Sequence, residues 1–433
     1  LLLLVLVVVA GVAGYWYQRP MLRTGTGYAA HNACAVELVA GREDASNDLP
    51  PNPLVPVLRS STEGEHTTAS ILGLLTKQHT WFAEGFGCTV APEAPKLPEP
   101  AAVDAANNPY ASAPEPEASD SVDAALNKAF GSDLSNRDRE ALGTRAIVVL
   151  KDGELVAERY AEGFTKDTPQ LGWSMSKSVT NLMVGRLVQE GSVSLDDANL
   201  RPEWTDDRSK ITVRQLLNMT SGLSWDETYA LNTTITKMLY MEPDMGTFVA
   251  IQDSAHEPGT HLQYSSGSTT LLCSILAPDH GGANLPREQI FAPLGLASAV
   301  MEPDGAGTPV CSSYMWATPR DWAAVGQFAL QDGVWNDERL LPEGWMSESV
   351  QAVDVDSEED APYASSWWPN QGADGSLRYE SLPADAYFAQ GHDGQRIIVV
   401  PSEDLVVVRM GFSPSAEDIR TTTLTSQLIR ALR

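Results

Sequence analysis

Residues 172–180 read GWSMSKSVT and continue over residues 181–191 as NLMVGRLVQEG, and this segment decides the fold. Apolar side chains recur in it at helical spacing, and Gly191 stands where a glycine commonly ends a helix. The pattern therefore predicts a helix, with Ser174 and Lys177 three residues apart on one face of its first turn. The periodic apolar positions are Val179, Leu182, Met183, Leu187 and Val188.

A serine beside an amine at the start of a helix can act as a nucleophile. A free hydroxyl is a weak nucleophile, and a neighbouring base activates it. The positive end of the helix dipole also favours an oxyanion formed there. The ordinary alternative is a helix cap at Ser174 followed by a surface lysine at position 177, and Ser-x-x-Lys alone does not exclude it.

Two further motifs follow in order along the chain. Residues 261–267 read HLQYSSG directly after the breaker Pro258-Gly259-Thr260, and a second apolar helix is predicted from Ser268. Residues 390–395 read QGHDGQ and lead into IIVVPSEDLVVVRMG at 397–411, which predicts two strands joined by a turn.

With these motifs the region from about residue 146 to residue 433 resembles the serine β-lactamase-related superfamily. The nearest branch is the class C-like one, with 6-aminohexanoate-oligomer hydrolases and β-lactamase-fold carboxylesterases. The resemblance implies an α/β (α+β) fold of the β-lactamase/transpeptidase type. An antiparallel sheet, with strands near 146–160 and 396–410, would be flanked by helices and joined to a mostly helical subdomain.

The resemblance also implies roles for individual residues. Ser174 would be the acyl-accepting nucleophile and Lys177 the amine that relays its proton. Tyr264 would be the second acid/base group, and Ser266 would shuttle the proton to the leaving group. The backbone N–H groups of Ser174 and Gln395 would form the oxyanion hole.

The C-terminal motif departs from one pattern of the superfamily. Penicillin-binding proteins and true β-lactamases carry Lys-Thr-Gly where this chain has His392-Asp393-Gly394. The missing lysine disfavours recognition of the carboxylate that β-lactams carry. His392 and Gly394 are therefore predicted to contact another substrate, with Gly394 allowing close backbone approach.

A polar and aromatic loop is predicted to overhang the pocket. Residues 223–234 read LSWDETYALNTT and resemble the loop found there in this family. Trp225, Asp226 and Tyr229 are its candidate substrate contacts.

Composition limits the partners. The 433 residues include 57 acidic and 29 basic side chains, for a formal net charge of −28. Such a chain would be repelled by nucleic-acid phosphates and by anionic lipid. We expect a small-molecule ester or amide substrate, no nucleic-acid partner and no cofactor. The oligomeric state stays open.

The N-terminal part divides into three segments. Residues 1–20, which begin LLLLVLVVVAGVAGYWY, predict a signal peptide or an uncleaved membrane anchor. We favour the anchor, and either reading exports the rest to the periplasmic or extracellular face. Residues 21–90 form a hairpin region, with two strands and a turn near Lys77 to His79. Residues 91–120, rich in Pro, Ala and acid, predict a linker or an extended wrap before the hydrolase domain at 121–433.

Four cysteines in an exported chain suggest disulfides. Cys34 and Cys88 both precede the linker and are the predicted pair. Cys273 is expected to be a buried thiol and Cys311 a small packing residue. A metal site at His256 and His261 is disfavoured because Pro258-Gly259 breaks the helix that a His-Glu-x-x-His site needs.

The function predicted from the sequence is a serine hydrolase that cleaves an ester or amide bond. Two alternatives stay open. One is a D-amino-acid peptidase, carboxypeptidase or β-lactam hydrolase of the same fold, and the other is a catalytically idle sensor or scaffold.

Overall fold

The computed structural model describes the backbone of residues 2–433 and the side chains of residues 5, 6 and 9–433. The helices are α1 (Leu2–Cys34), α2 (Asp120–Ala129), α3 (Asn136–Leu142), α4 (Met175–Gln189), α5 (Val213–Leu217), α6 (Thr234–Met241), α7 (Met245–Ala250), α8 (Ser266–Leu276), α9 (Ala292–Leu294), α10 (Pro319–Leu330), α11 (Trp345–Ser349) and α12 (Thr421–Ala431). The strands are β1 (Leu58–Glu63), β2 (His66–Ile71), β3 (Leu75–Ala83), β4 (Gly87–Val90), β5 (Thr144–Lys151), β6 (Glu154–Tyr160), β7 (Gln170–Leu171), β8 (His261–Leu262), β9 (Val300–Met301), β10 (Met315–Ala317), β11 (Val334–Trp335), β12 (Glu338–Arg339), β13 (Asp356–Ser357), β14 (Trp368–Pro369), β15 (Tyr387–Gly391), β16 (Gln395–Val400) and β17 (Leu405–Gly411).

A six-stranded antiparallel sheet forms the centre of the molecule, in the order β14-β15-β16-β17-β5-β6. Its inner strands are continuous apolar runs, IVVL in β5, IIVV in β16 and LVVV in β17, rather than alternating ones. Such runs indicate a sheet covered on both faces, because every side chain then enters a core. The predicted antiparallel sheet near 146–160 and 396–410 is confirmed.

Helices cover both faces of this sheet. Alternate residues of β5 divide between two cores. Ile147 and Val149 belong to the core that includes α2 and α12, whereas Ala146 and Val148 belong to the larger core that includes α4 and α10. The helical region between α4 and α10 completes the larger core. The α/β fold with an antiparallel sheet and flanking helices is therefore as predicted.

The N-terminal region forms a second sheet, β1-β2-β3-β4, packed against α1. The predicted turn near Lys77 to His79 is wrong, since both residues lie inside β3 and His79 pairs with Thr68. The chain turns instead at Leu72 to Leu74, where Gly73 adopts a φ of 79°. Glycine takes this left-handed conformation at no steric cost, which explains why the reversal falls there.

The predicted membrane segment at 1–20 falls partly on residues outside the described ones. Among the helices of the described residues, none is long and apolar enough to cross a bilayer. The C-terminal half of α1 is instead built into the protein, because Tyr28, Ala30 and Cys34 are buried.

Residues 91–119 run along the body of the molecule almost without regular structure. Asn108 and Tyr110 anchor them, since Asn108 Nδ2 donates to Asp321 Oδ1 at 2.7 Å and Tyr110 Oη to the Gly153 carbonyl at 2.8 Å. Of the two readings of this segment, the contacts correspond to an extended wrap.

Two disulfides join distant segments. One links Cys34 at the end of α1 with Cys88 in β4, the pair expected from the sequence. The other links Cys273 in α8 with Cys311, so the expectation of a free thiol and a packing residue is wrong. Their 38-residue separation gives no sequence signal, and only the packing of α8 beside the segment after β9 brings the two together.

Candidate active site

Ser174 lies at the start of α4, after a constrained backbone. Trp173 before it has a φ of 49°, a conformation that costs free energy in a non-glycine residue and is enriched at functional sites. Ser174 occupies the cap position of α4, but its side chain makes no capping hydrogen bond. The hydroxyl is therefore free for another role, and the ordinary alternative of a simple helix cap is excluded.

Lys177 is buried one turn into α4, with 1% of its surface exposed. Its Nζ donates to Ser174 Oγ at 2.9 Å, to Ser266 Oγ at 2.8 Å and to the carbonyl of Ser312 at 3.0 Å. The alternative of a surface lysine is excluded as well. Three hydrogen-bond acceptors hold the three donors of the amine, which fixes its position beside the serine hydroxyl.

The environment of Lys177 makes it a usable base. Burial lowers its pKa to about 8, because a low-dielectric site disfavours the ammonium form, while the charge of Glu227 opposes this shift. A substantial fraction of the amine is therefore neutral in mildly alkaline solution. A neutral amine in contact with Ser174 Oγ has the geometry and the basicity to accept the hydroxyl proton.

Tyr264 completes the group around Ser174. The Nζ of Lys177 lies 4.8 Å from the centre of its ring. Burial and the charge of Glu227 raise the pKa of Tyr264 above its usual value, and a hydrogen bond with the Ser174 side chain partly offsets this. The phenol therefore keeps its proton at neutral pH, which suits a proton donor better than a base.

Glu227 joins this group although the sequence analysis did not single it out. Its Oε1 accepts a hydrogen bond from Ser266 Oγ at 2.5 Å, and its Oε2 accepts one from the Ser266 N–H at 2.8 Å. A hydrogen-bonded chain thus runs from Ser174 through Lys177 and Ser266 to this carboxylate. In the sequence Glu227 is one acid in a polar loop, and no pattern distinguishes it from its neighbours.

Trp225 and Gly267 hold Glu227 in place. Trp225 is buried and its Nε1 donates to Glu227 Oε2 at 2.5 Å. The indole ring lies so close to α8 that a Cβ on Gly267 would come within 2.6 Å of it. Trp225 thus lies next to the cluster around Lys177, where it orients Glu227.

His392 and Tyr229 form an aromatic stack beside the cluster. Their ring centres are 4.3 Å apart with planes 14° from parallel, and both meet the Trp173 ring edge-on, at 5.8 and 6.0 Å. Because Trp173 precedes Ser174, the stack lies against the segment that carries the serine. Both residues remain candidates for substrate contact.

Three other predicted residues have different surroundings. Asp226 is exposed and caps its own loop through the Thr228 N–H, so it does not join the cluster. A Cβ on Gly394 would lie 2.5 Å from Arg409 Nη1, so a buried arginine, rather than a substrate, requires this glycine. The Gln395 side chain is engaged with the backbone of Gly411, and its N–H remains a candidate for the oxyanion hole.

A cavity of about 600 Å³ adjoins the aromatic stack. Tyr229, His392 and Asp393 line one side of it. Met21, Tyr28 and residues 50–53 of the N-terminal region line another.

The imidazoles that the sequence analysis rejected as metal ligands do lie close together. His256, His261 and Glu358 place potential ligand atoms within 4.8 Å of one another. The two imidazoles are stacked at 3.9 Å, near the 356–360 loop. Glu358 comes from a different segment of the chain, so no local motif includes it.

The fold and this arrangement define the class of protein, a β-lactamase-like hydrolase. The family model described as Beta-lactamase matches residues 136–423, and the chain belongs to this family. At the family level it is therefore an amide or ester hydrolase, which agrees with the superfamily resemblance.

Individual relatives have different activities. The chain is 24% identical to a 6-aminohexanoate-dimer hydrolase from Paenarthrobacter ureafaciens over 66% of this chain and 76% of that protein. It is 30% identical to a D-aminopeptidase from Brucella anthropi, over 40% of this chain and only 36% of that protein. A family VIII carboxylesterase structure aligns with a TM-score of 0.55 at 16% identity, covering 72% of this chain and 98% of that one. The last likeness concerns the fold alone.

Proposed function

We propose that the protein is a serine hydrolase that cleaves an ester or amide bond through an acyl-enzyme on Ser174. The observation that carries this proposal is the buried contact between Lys177 Nζ and Ser174 Oγ at 2.9 Å. An amine with a pKa lowered to about 8, held against a hydroxyl at a helix start, is an activated nucleophile pair.

The proposed steps use only residues of this cluster. Neutral Lys177 takes the Ser174 proton as Oγ bonds to the substrate carbonyl carbon. The backbone N–H groups of Ser174 and Gln395 stabilise the oxyanion. The proton passes through the Tyr264 hydroxyl, or through Ser266, to the leaving oxygen or nitrogen as its bond to carbon breaks. Water then attacks the acyl ester, which releases the acid and restores Ser174.

The relatives support two substrate classes. Similarity to the 6-aminohexanoate-dimer hydrolase over most of both chains favours a linear amide or ester. Similarity to the D-aminopeptidase favours a D-amino-acid amide as the second candidate. β-Lactams are disfavoured because His392 stands where β-lactamases carry a lysine.

Two disulfides support the proposal that the protein works outside the cytoplasm. Structural disulfides persist in oxidising compartments such as the periplasm and the extracellular space. The Cys34–Cys88 and Cys273–Cys311 pairs correspond to such a location.

Covalent labelling tests the proposal. Wild-type protein should react with a fluorophosphonate probe and hydrolyse p-nitrophenyl esters, whereas Ser174→Ala should do neither. Ser60→Ala, which removes an exposed hydroxyl in β1, is the matched control and should behave as wild type. Turnover that survives in Ser174→Ala would refute the mechanism. Labelling at Ser174 without turnover of any ester, amide or D-peptide would favour the idle scaffold.

A further inference from the structure

Three side chains that can bind a metal ion meet outside the cluster around Lys177. His256, His261 and Glu358 come from two distant segments of the chain, and their ligand atoms lie within 4.8 Å of one another. Ligand atoms about 2 Å from a tetrahedral ion are about 3.3 Å apart, so small side-chain movements bring the three to coordination distance. None of them is a hydrogen-bond partner of Lys177, and the proposed hydrolysis does not use them.

His261 is the buried member of this group. It is 8% exposed, and its Nε2 has no hydrogen-bond partner among the described residues. Glu358 Oε1 lies 3.6 Å from this nitrogen, beyond hydrogen-bond distance. Leaving a buried polar atom unpaired costs free energy, and an ion between the imidazole and the carboxylate would supply the missing partner.

Two neighbouring side chains orient the ligand atoms. Nδ1 of His261 lies 3.3 Å from Asp356 Oδ2, and a carboxylate at this position favours the proton on Nδ1, which leaves Nε2 with the lone pair that a metal needs. Gln263 Nε2 donates to Glu358 Oε2 at 3.2 Å, so the other carboxylate oxygen remains available on the side of His261. A carboxylate behind an imidazole ligand is common in metal sites, where it fixes the orientation of the ring.

The backbone holds the ligand segments in place. β8 and β13 pair in parallel, with His261 opposite Asp356. The His256 N–H donates to the carbonyl of Gly222 at 3.1 Å. The His256 ring stacks on that of His261 at 3.9 Å, and it has to turn because two stacked rings cannot both point at one ion. Its side chain is exposed, so this rotation disturbs no core packing.

The ligand chemistry selects the ion. Two imidazoles with one carboxylate suit zinc and neighbouring transition metals, whereas calcium and magnesium prefer sites made of oxygen ligands. The segment 354–360, here called the acidic loop, carries five carboxylates that attract a cation. The break at Pro258-Gly259 excludes a His-Glu-x-x-His helix, but these ligands lie on loops and on β8 and need no helix.

We propose that His256, His261 and Glu358 form a binding site for a zinc-class divalent ion, with water in the remaining coordination position. The ion is structural, since it joins β8 and the segment before it to the acidic loop. The same loop contacts the chain next to the catalytic cluster, because Glu359 Oε1 accepts a hydrogen bond from the Tyr264 N–H at 3.3 Å. The inference does not depend on the proposed hydrolase function.

Calorimetric titration with zinc sulfate tests the site. Wild type, prepared without a histidine tag and freed of metal by a chelator, should bind one Zn²⁺. His256→Ala and Glu358→Gln should each weaken binding by about a hundredfold or more, because loss of a group that only orients a ligand already costs about ten- to a hundredfold. Asp356→Asn removes such an orienting group and should weaken binding by about tenfold or more.

Asp360→Asn is the matched control, because it removes an exposed carboxylate of the same loop that is not a proposed ligand. At about 0.15 M salt, where exposed charges are largely screened, it should retain the affinity of wild type within about threefold. An effect as large as that of Asp356→Asn would show that the loop attracts zinc by charge alone and would overturn the site.

Thermal unfolding gives a second readout that does not use turnover. Excess Zn²⁺ should raise the unfolding temperature of wild type and of Asp360→Asn but not of His256→Ala, because a ligand that binds the folded state stabilises it. Mg²⁺ at the same concentration should have no such effect. Circular dichroism of the metal-free variants checks that they are folded. Absence of saturable zinc binding by wild type, or wild-type affinity in folded His256→Ala and Glu358→Gln, would overturn the proposal.

Discussion

At the scale of single residues, the decisive feature is the protonation of Lys177. The amine must be neutral to accept a proton from Ser174, yet its three hydrogen-bond acceptors favour the ammonium form. Burial has the opposite and larger effect, and it lowers the pKa of Lys177 to about 8. Glu227 acts in the opposite direction, so the carboxylate that orients Ser266 also limits how easily the base is formed.

The first prediction concerns the pH dependence of acylation. Because the proposed base is the neutral form of Lys177, kcat/KM for a neutral ester should rise with pH and reach half of its maximum near pH 8. Glu227→Gln removes the negative charge that raises the Lys177 pKa, so the midpoint should move to lower pH. Initial rates between pH 5 and 10 measure both effects.

A matched variant separates this effect from a general change in charge. Glu162→Gln removes an exposed carboxylate and should leave the midpoint in place. A midpoint that stays unchanged in Glu227→Gln would show that this carboxylate does not act on the base.

At the scale of elements, the site depends on three segments that meet at Lys177. The base itself lies on α4, Ser266 opens α8, and Ser312 follows the disulfide-bonded Cys311. The Cys273–Cys311 bond therefore ties α8 to the segment whose carbonyl accepts from Lys177. The same disulfide therefore contributes to the stability of the fold and to the position of the groups around Lys177.

The second prediction concerns this crosslink. Replacing both Cys273 and Cys311 with alanine removes a loop closure of 38 residues, which is expected to lower the free energy of unfolding by about 4 kcal/mol. Denaturant unfolding measures the loss. Because the Ser312 carbonyl would be held less firmly, ester turnover should fall even under conditions where the variant is folded.

The corresponding double variant at Cys34 and Cys88 is the control, since that bond joins α1 to β4, and neither element supplies a hydrogen-bond partner to Lys177. It should lower stability with a smaller effect on turnover of a neutral ester. Equal loss of activity in the two variants would argue against a specific link between the Cys273–Cys311 bond and the base.

At the scale of the whole molecule, the formal net charge is −28. An anionic protein attracts cationic ligands at long range, and dissolved salt screens that attraction. We therefore expect this charge to favour a positively charged substrate over a neutral one of the same shape.

The third prediction follows from this field. Raising the ionic strength should lower kcat/KM for p-nitrophenyl 6-aminohexanoate more than for the hexanoate ester, because only the charged substrate is attracted. Steady-state rates in a sodium chloride series measure the difference. Parallel salt curves for the two esters would contradict it.

The sequence by itself predicted several of the elements and placed Ser174 and Lys177 together on one turn of a helix. The apolar segments of 397–411 predicted two strands, and helical periodicity predicted α4. The order of the motifs, through the family resemblance, pointed to Ser174, Lys177, Tyr264 and Ser266. These signals are local. Three-residue spacing predicts that two side chains share a helix face, and a run of β-branched residues predicts a strand, without information from distant segments. The wrong turn prediction near Lys77 to His79 shows where local patterns fail. The strands end where a residue accepts a positive φ, which here is Gly73.

Only the tertiary structure decided what surrounds that pair. Glu227, the Cys273–Cys311 bond and the cavity with Asp393 each depend on segments far apart in the chain, and no pattern within one segment encodes their contact. The lowered pKa of Lys177 also depends on the tertiary structure. The sequence shows that position 177 is a lysine, but burial lowers the pKa of its amine, and burial is a property of the packed molecule.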